Sequence, residues 1–230
     1  VDRRGKFLLI HLDDGRVWLV HLGMSGSFRI QHAAADAAPP HPHDHLLIET
    51  DAGVRLAFHD PRRFGFMDLI AAEALHEHAM LARLGPEPLG AGFDGAHLRE
   101  RFAHRAAPLK AVLLDQGTVA GMGNIYASES LFRARLSPLR AAASVSGAAC
   151  GRLAAAIRWV FLEAIEAGGA SLRDHRRPSG ELGCFQHGFA VYRRGGKACP
   201  GCRCDVAATG GIRRIVQSGR STYYCAWRQR

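Results

Sequence analysis

Apolar and polar positions along residues 6–71 follow the short period of β-strands. Phe7 to Leu12 and Val17 to Leu22 are apolar runs joined by Asp13-Asp14-Gly15-Arg16, a turn sequence, which predicts a hairpin. His45 to Glu49 and Val54 to His59 repeat the device around Asp51-Ala52-Gly53. Between the two pairs, Ala33 to Pro42 is rich in Ala and Pro and reads as a loop. From Ala71 to Leu84 the period becomes helical, and Gly85-Pro86-Glu87-Pro88-Leu89-Gly90 then breaks it at the clearest domain boundary.

Residues 94–169 read as helices. Asp94 caps one carrying Leu98 and Phe102, and a second spans Pro108 to Gln116 with Pro108 in its first turn. Val119-Ala-Gly121-Met-Gly123-Asn124 leads into a third through Ile125, Leu131 and Phe132, with Asn124 able to cap it. Gly151 to Ala167 forms a long amphipathic helix ending at Gly168-Gly169. Two short helices around a glycine-rich turn resemble a helix-turn-helix, a unit much used on DNA. From Phe189 onward the sequence is β-like and dominated by Gly, Arg and Cys.

Charge sharpens this picture. Residues 1–172 carry 18 basic and 18 acidic residues, whereas residues 173–230 carry 12 basic and 3 acidic, so the whole net charge of +9 sits in the tail. Such polarity suggests an anionic polymer as partner. No apolar run approaches the length needed to cross a bilayer and no signal-peptide pattern opens the chain, which argues against a membrane role and for the cytoplasm. Val1 runs straight into strand-like sequence, so the chain reads as a fragment lacking its true N-terminus.

Four of the six cysteines fall between residues 199 and 225, a clustering that favours metal over disulfides. Cys199-Pro-Gly-Cys202 has the bite that brings two thiolates to one tetrahedral Zn²⁺. Cys225 is a third ligand, but Arg228 stands where a partner cysteine belongs, and Cys204 is the possible fourth. A ribbon that has lost its metal is the competing reading. Between the knuckles, residues 212–225 read as two strands around a Ser-Gly turn, with Arg220 at the tip.

Other candidates lie upstream. Gly123-Asn124-Ile125-Tyr126 opens a helix whose N-terminus suits an anion, with Lys110 and Arg105 able to add charge. Asp60-Pro61-Arg62-Arg63-Phe64-Gly65 and His21-Leu-Gly23-Met24-Ser25-Gly26 are turns that expose Arg62, Phe64 and Met24, a combination able to fill the gap left by an extruded base. His41-Pro-His43-Asp-His45 looks like a metal tract but lacks a further ligand pattern and reads as loop.

In this order, the motifs resemble the formamidopyrimidine-DNA glycosylase family of base-excision repair. The match rests on Arg4-Gly-Lys6-Phe-Leu-Leu, His21-Leu-Gly-Met-Ser-Gly-Ser27, His43-Asp-His45, Asp60-Pro-Arg-Arg-Phe-Gly65, Leu84-Gly-Pro-Glu-Pro-Leu89, Gly121-Met-Gly-Asn-Ile-Tyr-Ala-Ser-Glu129 and Gln217-Ser-Gly-Arg-Ser-Thr-Tyr-Tyr-Cys225. The resemblance implies an α+β architecture: a partial N-terminal β-sandwich catalytic domain over 1–84, a linker over 85–93, a helix–two-turn–helix domain over 94–188 and a zinc-ribbon-type finger over 189–230. It implies excision of oxidised purines, such as 8-oxoguanine and formamidopyrimidines, from double-stranded DNA, then cleavage of the abasic site by β,δ-elimination. Lys6 matches the lysine assigned to β-elimination and Arg220 the arginine of δ-elimination. Met24, Arg62 and Phe64 match the void-filling wedge. His43, Arg62, Arg105, Lys110 and Asn124 fall at DNA-contact positions, and Glu129 near the lesion pocket. One structural zinc, a monomer and a nucleoid-associated cytoplasmic location complete the expectation.

The family's nucleophile is an N-terminal proline followed by a glutamate. Val1 falls well inside the first domain of that pattern, so the sequence predicts an N-terminally truncated chain, inactive as it stands. Two alternatives stay open: an endonuclease VIII-type glycosylase for oxidised pyrimidines, and a catalytically dead protein that binds lesions in DNA.

Overall fold

The computed structural model describes residues 1–32, 39–171, 182–203 and 205–230. The chain divides into two compact units, Val1–Leu81 with Ala167–Gln186, and Ala82–Glu166 with His187–Arg230.

The first unit holds two antiparallel sheets. Strands β1 (Asp2–Arg4), β2 (Phe7–His11), β3 (Arg16–His21) and β7 (Phe66–Ala71) form one, in the order β1-β2-β3-β7. Strands β4 (Ser27–His32), β5 (Asp44–Glu49) and β6 (Val54–His59) form the other, in the order β4-β6-β5. Both hairpins expected from the sequence are present, β2 with β3 and β5 with β6, and Gly15 and Gly53 take positive φ in their turns. The alternate residues Val17 and Leu19 of β3 are fully buried, and Ala57 and Phe58 of β6 are nearly so. Trp18 of β3 meets Phe28 of β4 edge-on at 5.7 Å, so side chains of the two sheets touch. Part of the expected Ala33 to Pro42 loop, residues 33–38, lies outside the described residues. The helical period of Ala71 to Leu84 yields only a 3₁₀ turn over Ala72–Glu77. No side chain caps it and none of its residues is buried, so nothing sustains a longer helix.

The second unit is helical, with a two-stranded hairpin at its C-terminal end. Asp94 accepts from the His97 N–H at 2.8 Å and starts α1 (Gly95–Phe102), as expected. Helices α2 (Leu109–Leu114), α3 (Asn124–Ala134) and α4 (Gly147–Glu166) follow. Leu98, Phe102, Leu109, Leu113, Met122, Leu131, Leu153 and Ile157 pack into one apolar core. Helix α4 begins at Gly147 rather than Gly151, because the Ser146 hydroxyl accepts from the Ala149 N–H and opens the helix earlier. Gly151 marks a helix crossing instead: a Cβ on Gly95 would fall 2.7 Å from the Gly151 Cα. Of the stretch after Phe189, only β8 (Arg213–Gln217) and β9 (Arg220–Tyr224) are strands among the described residues, and Asp205 caps a short helix, α5 (Val206–Thr209). Ser218 and Gly219 both take positive φ between β8 and β9, the signature of a tight type I′ hairpin that puts Arg220 beside its tip.

Candidate functional site

In the first unit, the loop after β3 and the turn after β6 are built against each other. Gly23 has φ +64°, and a Cβ there would sit 2.5 Å from the Phe64 carbonyl carbon, so only glycine permits this approach. Asp60, 1% exposed, locks the pair. It accepts from the Ser25 hydroxyl at 2.6 Å and from the Gly65 N–H at 2.7 Å, while Ser25 Oγ accepts from the Arg62 N–H at 3.2 Å. Burial opposes ionisation of Asp60, but these donors outweigh it and hold its pKa below the usual carboxylate value. On this platform Met24 and Phe64 stand 71% and 56% exposed. Arg62 joins them, its guanidinium 4.6 Å over the Phe64 ring and its Nη1 donating to Met24 Sδ at 3.3 Å. The structure thus brings together the three residues that the sequence could only name one by one.

His43 lies on the same platform. Its carbonyl accepts from the Asp60 N–H at 2.9 Å, and His45 Nε2 donates to the Asp60 carbonyl at 2.9 Å. The rings of His41, His43 and His59 lie 4.7–5.9 Å apart, and Asp44 accepts from His59 Nδ1 at 3.0 Å and from the His41 N–H at 2.8 Å. Lys6 is exposed in the β1–β2 turn, where Gly5 has φ +56°. Burial, and then the Lys6 charge, lower the pKa of His21, whose Nδ1 accepts from the Gly23 N–H at 3.0 Å.

In the second unit, Lys110 is 1% exposed. Its Nζ donates to Asn124 Oδ1 at 2.6 Å, Thr222 Oγ1 at 2.7 Å and the Ser221 carbonyl at 3.2 Å. Burial, followed by the nearby Arg220 charge, lowers its pKa to about 8. Asn124 is not the cap that its sequence position suggests. Gly123 occupies the N-cap, and the Asn124 amide donates to the Ser221 carbonyl at 3.0 Å and to Tyr192 Oη at 3.4 Å. Lys110 and Asn124 therefore tie α2 and the start of α3 to β9, the strand that opens with Arg220. Arg105 stands apart from these bonds, 3.7 Å from Asp115 and half exposed. Glu129 is fully buried and accepts from the N–H groups of Ala190, Val191 and Tyr192 at 2.9–3.0 Å, fixing that loop. Thr222, Ser221, Asp60 and Ser25 are the residues that sequence reasoning passed over. Each lies inside one of the motifs, but a short polar side chain near an arginine gives no sign of burial.

The Sγ atoms of Cys199, Cys202 and Cys225 lie within 4.8 Å of one another, with Cys202 and Cys225 3.6 Å apart. Zn–S bonds of about 2.3 Å in a tetrahedron set sulfurs roughly 3.8 Å apart, so three corners fit a thiolate-bound ion. Burial raises the Cys199 thiol. At Cys225 burial is outweighed by the N–H groups of Arg228 and Trp227 and by the neighbouring thiols, and its pKa is lowered. Cys204 lies outside the described residues. Among the described residues this is the only group of three or more His, Cys, Asp or Glu side chains placed to hold a metal ion.

With its helical unit and cysteine-bearing hairpin, and a β unit bearing an exposed Met–Arg–Phe cluster, the chain matches a class of enzymes, the base-excision-repair DNA glycosylases with AP-lyase activity. The formamidopyrimidine-DNA glycosylase N-terminal domain matches residues 1–67, and the formamidopyrimidine-DNA glycosylase H2TH domain matches residues 84–176. The formamidopyrimidine-DNA glycosylase of Rhodospirillum rubrum is 61% identical over 100% of this chain and 82% of its own length. The MutM (Fpg) protein of Thermus thermophilus superposes with a TM-score of 0.87 at 44% identity, covering 100% of this chain and 81% of that one. A Lactococcus lactis Fpg mutant in complex with Fapy-dG-containing DNA gives 0.89 at 30% identity, covering 100% and 80%. The chain belongs to the formamidopyrimidine-DNA glycosylase family.

These matches correct one expectation. The sequence predicts a chain that has lost part of its first domain, yet that domain is matched from residue 1 to residue 67. The inactivity inferred from a missing nucleophile has no support in these matches. No helix among the described residues is long and apolar enough to cross a membrane.

Proposed function

We propose that this enzyme removes oxidised purines, 8-oxoguanine and formamidopyrimidines, from double-stranded DNA and then cuts the strand by β- and δ-elimination. The observation that carries the reading is the exposed Met24–Arg62–Phe64 cluster on its buried Asp60 platform. Two apolar side chains and a guanidinium, held out by two turns joined through Asp60 and Ser25, suit the stack that an extruded base vacates. Extrusion exposes C1′ to an enzyme amine, which attacks as the bond from C1′ to the damaged base breaks. The sugar ring opens to a Schiff base, and loss of its acidified C2′ proton expels the 3′ phosphate. Lys6 serves the β-elimination, and Arg220 the δ-elimination at the phosphate that leaves second. His43, Arg62 and Arg105 contact phosphates. Lys110 and Asn124 serve DNA binding by tying α2 and the start of α3 to β9. Glu129 shapes the lesion pocket through the loop 190–192.

Cys199, Cys202 and Cys225, with Cys204 as possible fourth ligand, hold one zinc ion, which when bound cross-links the two knuckles of the finger. The domains run 1–84 for the catalytic β domain, 85–93 for the linker, 94–188 for the helix–two-turn–helix domain and 189–230 for the finger. The protein acts as a monomer in the nucleoid-bearing cytoplasm.

End-group analysis on duplexes with a single lesion tests this. The full gene product should nick an 8-oxoguanine duplex and leave phosphate on both sides of the gap, the mark of β,δ-elimination. Preferential cutting of an oxidised-pyrimidine duplex would instead support the endonuclease VIII reading.

A further inference from the structure

At the position where the ribbon pattern calls for a fourth thiolate stands Arg228, and its side chain has definite work. The guanidinium Nη1 donates to the Gly201 carbonyl, inside the Cys199-Pro-Gly-Cys202 knuckle. Its Cζ lies 4.9 Å over the ring of Phe132, which is 5% exposed near the end of α3. Glycine at 201 is what admits it, because a Cβ there would collide with the guanidinium. The next residue, Gln229, is 3% exposed and doubles the attachment. Its Oε1 accepts from the Cys225 N–H at 2.8 Å and its Nε2 donates to the Leu136 carbonyl at 2.9 Å. Arg230 continues the seam, its N–H donating to the Arg135 carbonyl at 3.3 Å.

A structural zinc in a ribbon does one mechanical job: it joins two knuckles that have too little core to stay together, so such fingers unfold without it. Here the second knuckle is already joined to the first by Arg228 and to the end of α3 by Arg228 and Gln229. Beneath them Phe132, Val191, Cys199, Ile212 and Cys225 form a small core of their own. We propose that Arg228 is a positioning residue that replaces a metal bond with a guanidinium strap, so that the hairpin carrying Arg220 keeps its place whether or not the thiolates hold an ion. The inference rests on the assignment of the cysteine cluster as a zinc site, but it concerns the finger's fold and not the lesion chemistry. Its failure is therefore seen separately.

Amide hydrogen exchange of β8 and β9 tests it, with and without a strong zinc chelator, on the full gene product. In the wild type, protection of these amides should change less than about twofold on chelation. Gly201→Ala, which pushes the guanidinium out and leaves the thiols intact, should leave the zinc-loaded finger protected but lose about tenfold or more on chelation. Arg228→Cys restores a fourth thiolate and removes the strap. It should bind zinc more tightly in competition with the chelator, and once stripped should exchange about tenfold faster than the stripped wild type. Loss of protection in the wild type on chelation alone would overturn the proposal, as would a stripped Arg228→Cys finger as well protected as the wild type. Cleavage of an 8-oxoguanine duplex, measured in parallel, reports on the repair function independently of either outcome.

Discussion

The two units each use a buried charge to present an exposed arginine, and they do so with opposite electrostatics. In the first, Asp60 sits beneath Arg62 among donors, the Ser25 hydroxyl and the backbone N–H groups of a tight turn. Those donors outweigh burial and favour the charged form, so the platform keeps one ionisation state around neutral pH. In the second, Lys110 sits beneath the strand of Arg220, and its charge is opposed by burial and by Arg220 itself. Three acceptors satisfy its donors, but the proton is held loosely. A buried charge fixes geometry only as firmly as its surroundings favour the charge.

Breaking the first platform should have the largest effect. Asp60→Ala leaves the half-buried Ser25 hydroxyl and Gly65 N–H without their acceptor. Denaturant unfolding should show a loss of about 3 kcal/mol in the first unit. Next comes Arg220→Ala, which should slow the second elimination roughly 10²-fold and let β-elimination products accumulate on a sequencing gel. Equal slowing of both eliminations would place Arg220 elsewhere in the mechanism. Phe64→Ala removes one ring of the cluster and should weaken binding to a lesion duplex by about tenfold, measured by fluorescence anisotropy.

At neutral pH the smallest effect belongs to Lys110→Met, which should cost about 1 kcal/mol because lost hydrogen bonds are offset by relief of a disfavoured charge. Its pH dependence is the sharper test. The folded lysine gives up its proton near pH 8, whereas the unfolded one keeps it to about 10.5. The unfolded chain then binds more protons between these values, so wild-type stability gains from this residue as pH rises through that window. The stability gap between wild type and variant should widen there by on the order of 1–3 kcal/mol. A gap that stays flat would mean that Lys110 is not held against its charge.

Hairpins and helix starts were legible in the sequence wherever a local signal set them: Asp13-Asp14-Gly15-Arg16, Asp94 before α1, Ser218-Gly219 before Arg220. The helix expected over Ala71 to Leu84 failed because apolar spacing alone does not bury a face. Gly151 misled because a glycine inside a helix can serve a crossing with Gly95 rather than a start. Candidate site residues were legible by type, as Met24, Arg62 and Phe64 show, but not their company. Lys110 reads from sequence as a cation adding charge to a helix face, yet 111 residues separate it from its acceptor Ser221. No local pattern spans such a distance, and only the fold reveals that this lysine is buried.

The most direct test of the repair chemistry is borohydride trapping of the full gene product on a duplex containing one 8-oxoguanine. A Schiff base between enzyme and sugar should be reduced to a stable covalent adduct, visible as a shifted band that is absent with an undamaged duplex. A duplex that is bound and cut without any trapped adduct would contradict a glycosylase that proceeds to strand cleavage through one covalent intermediate.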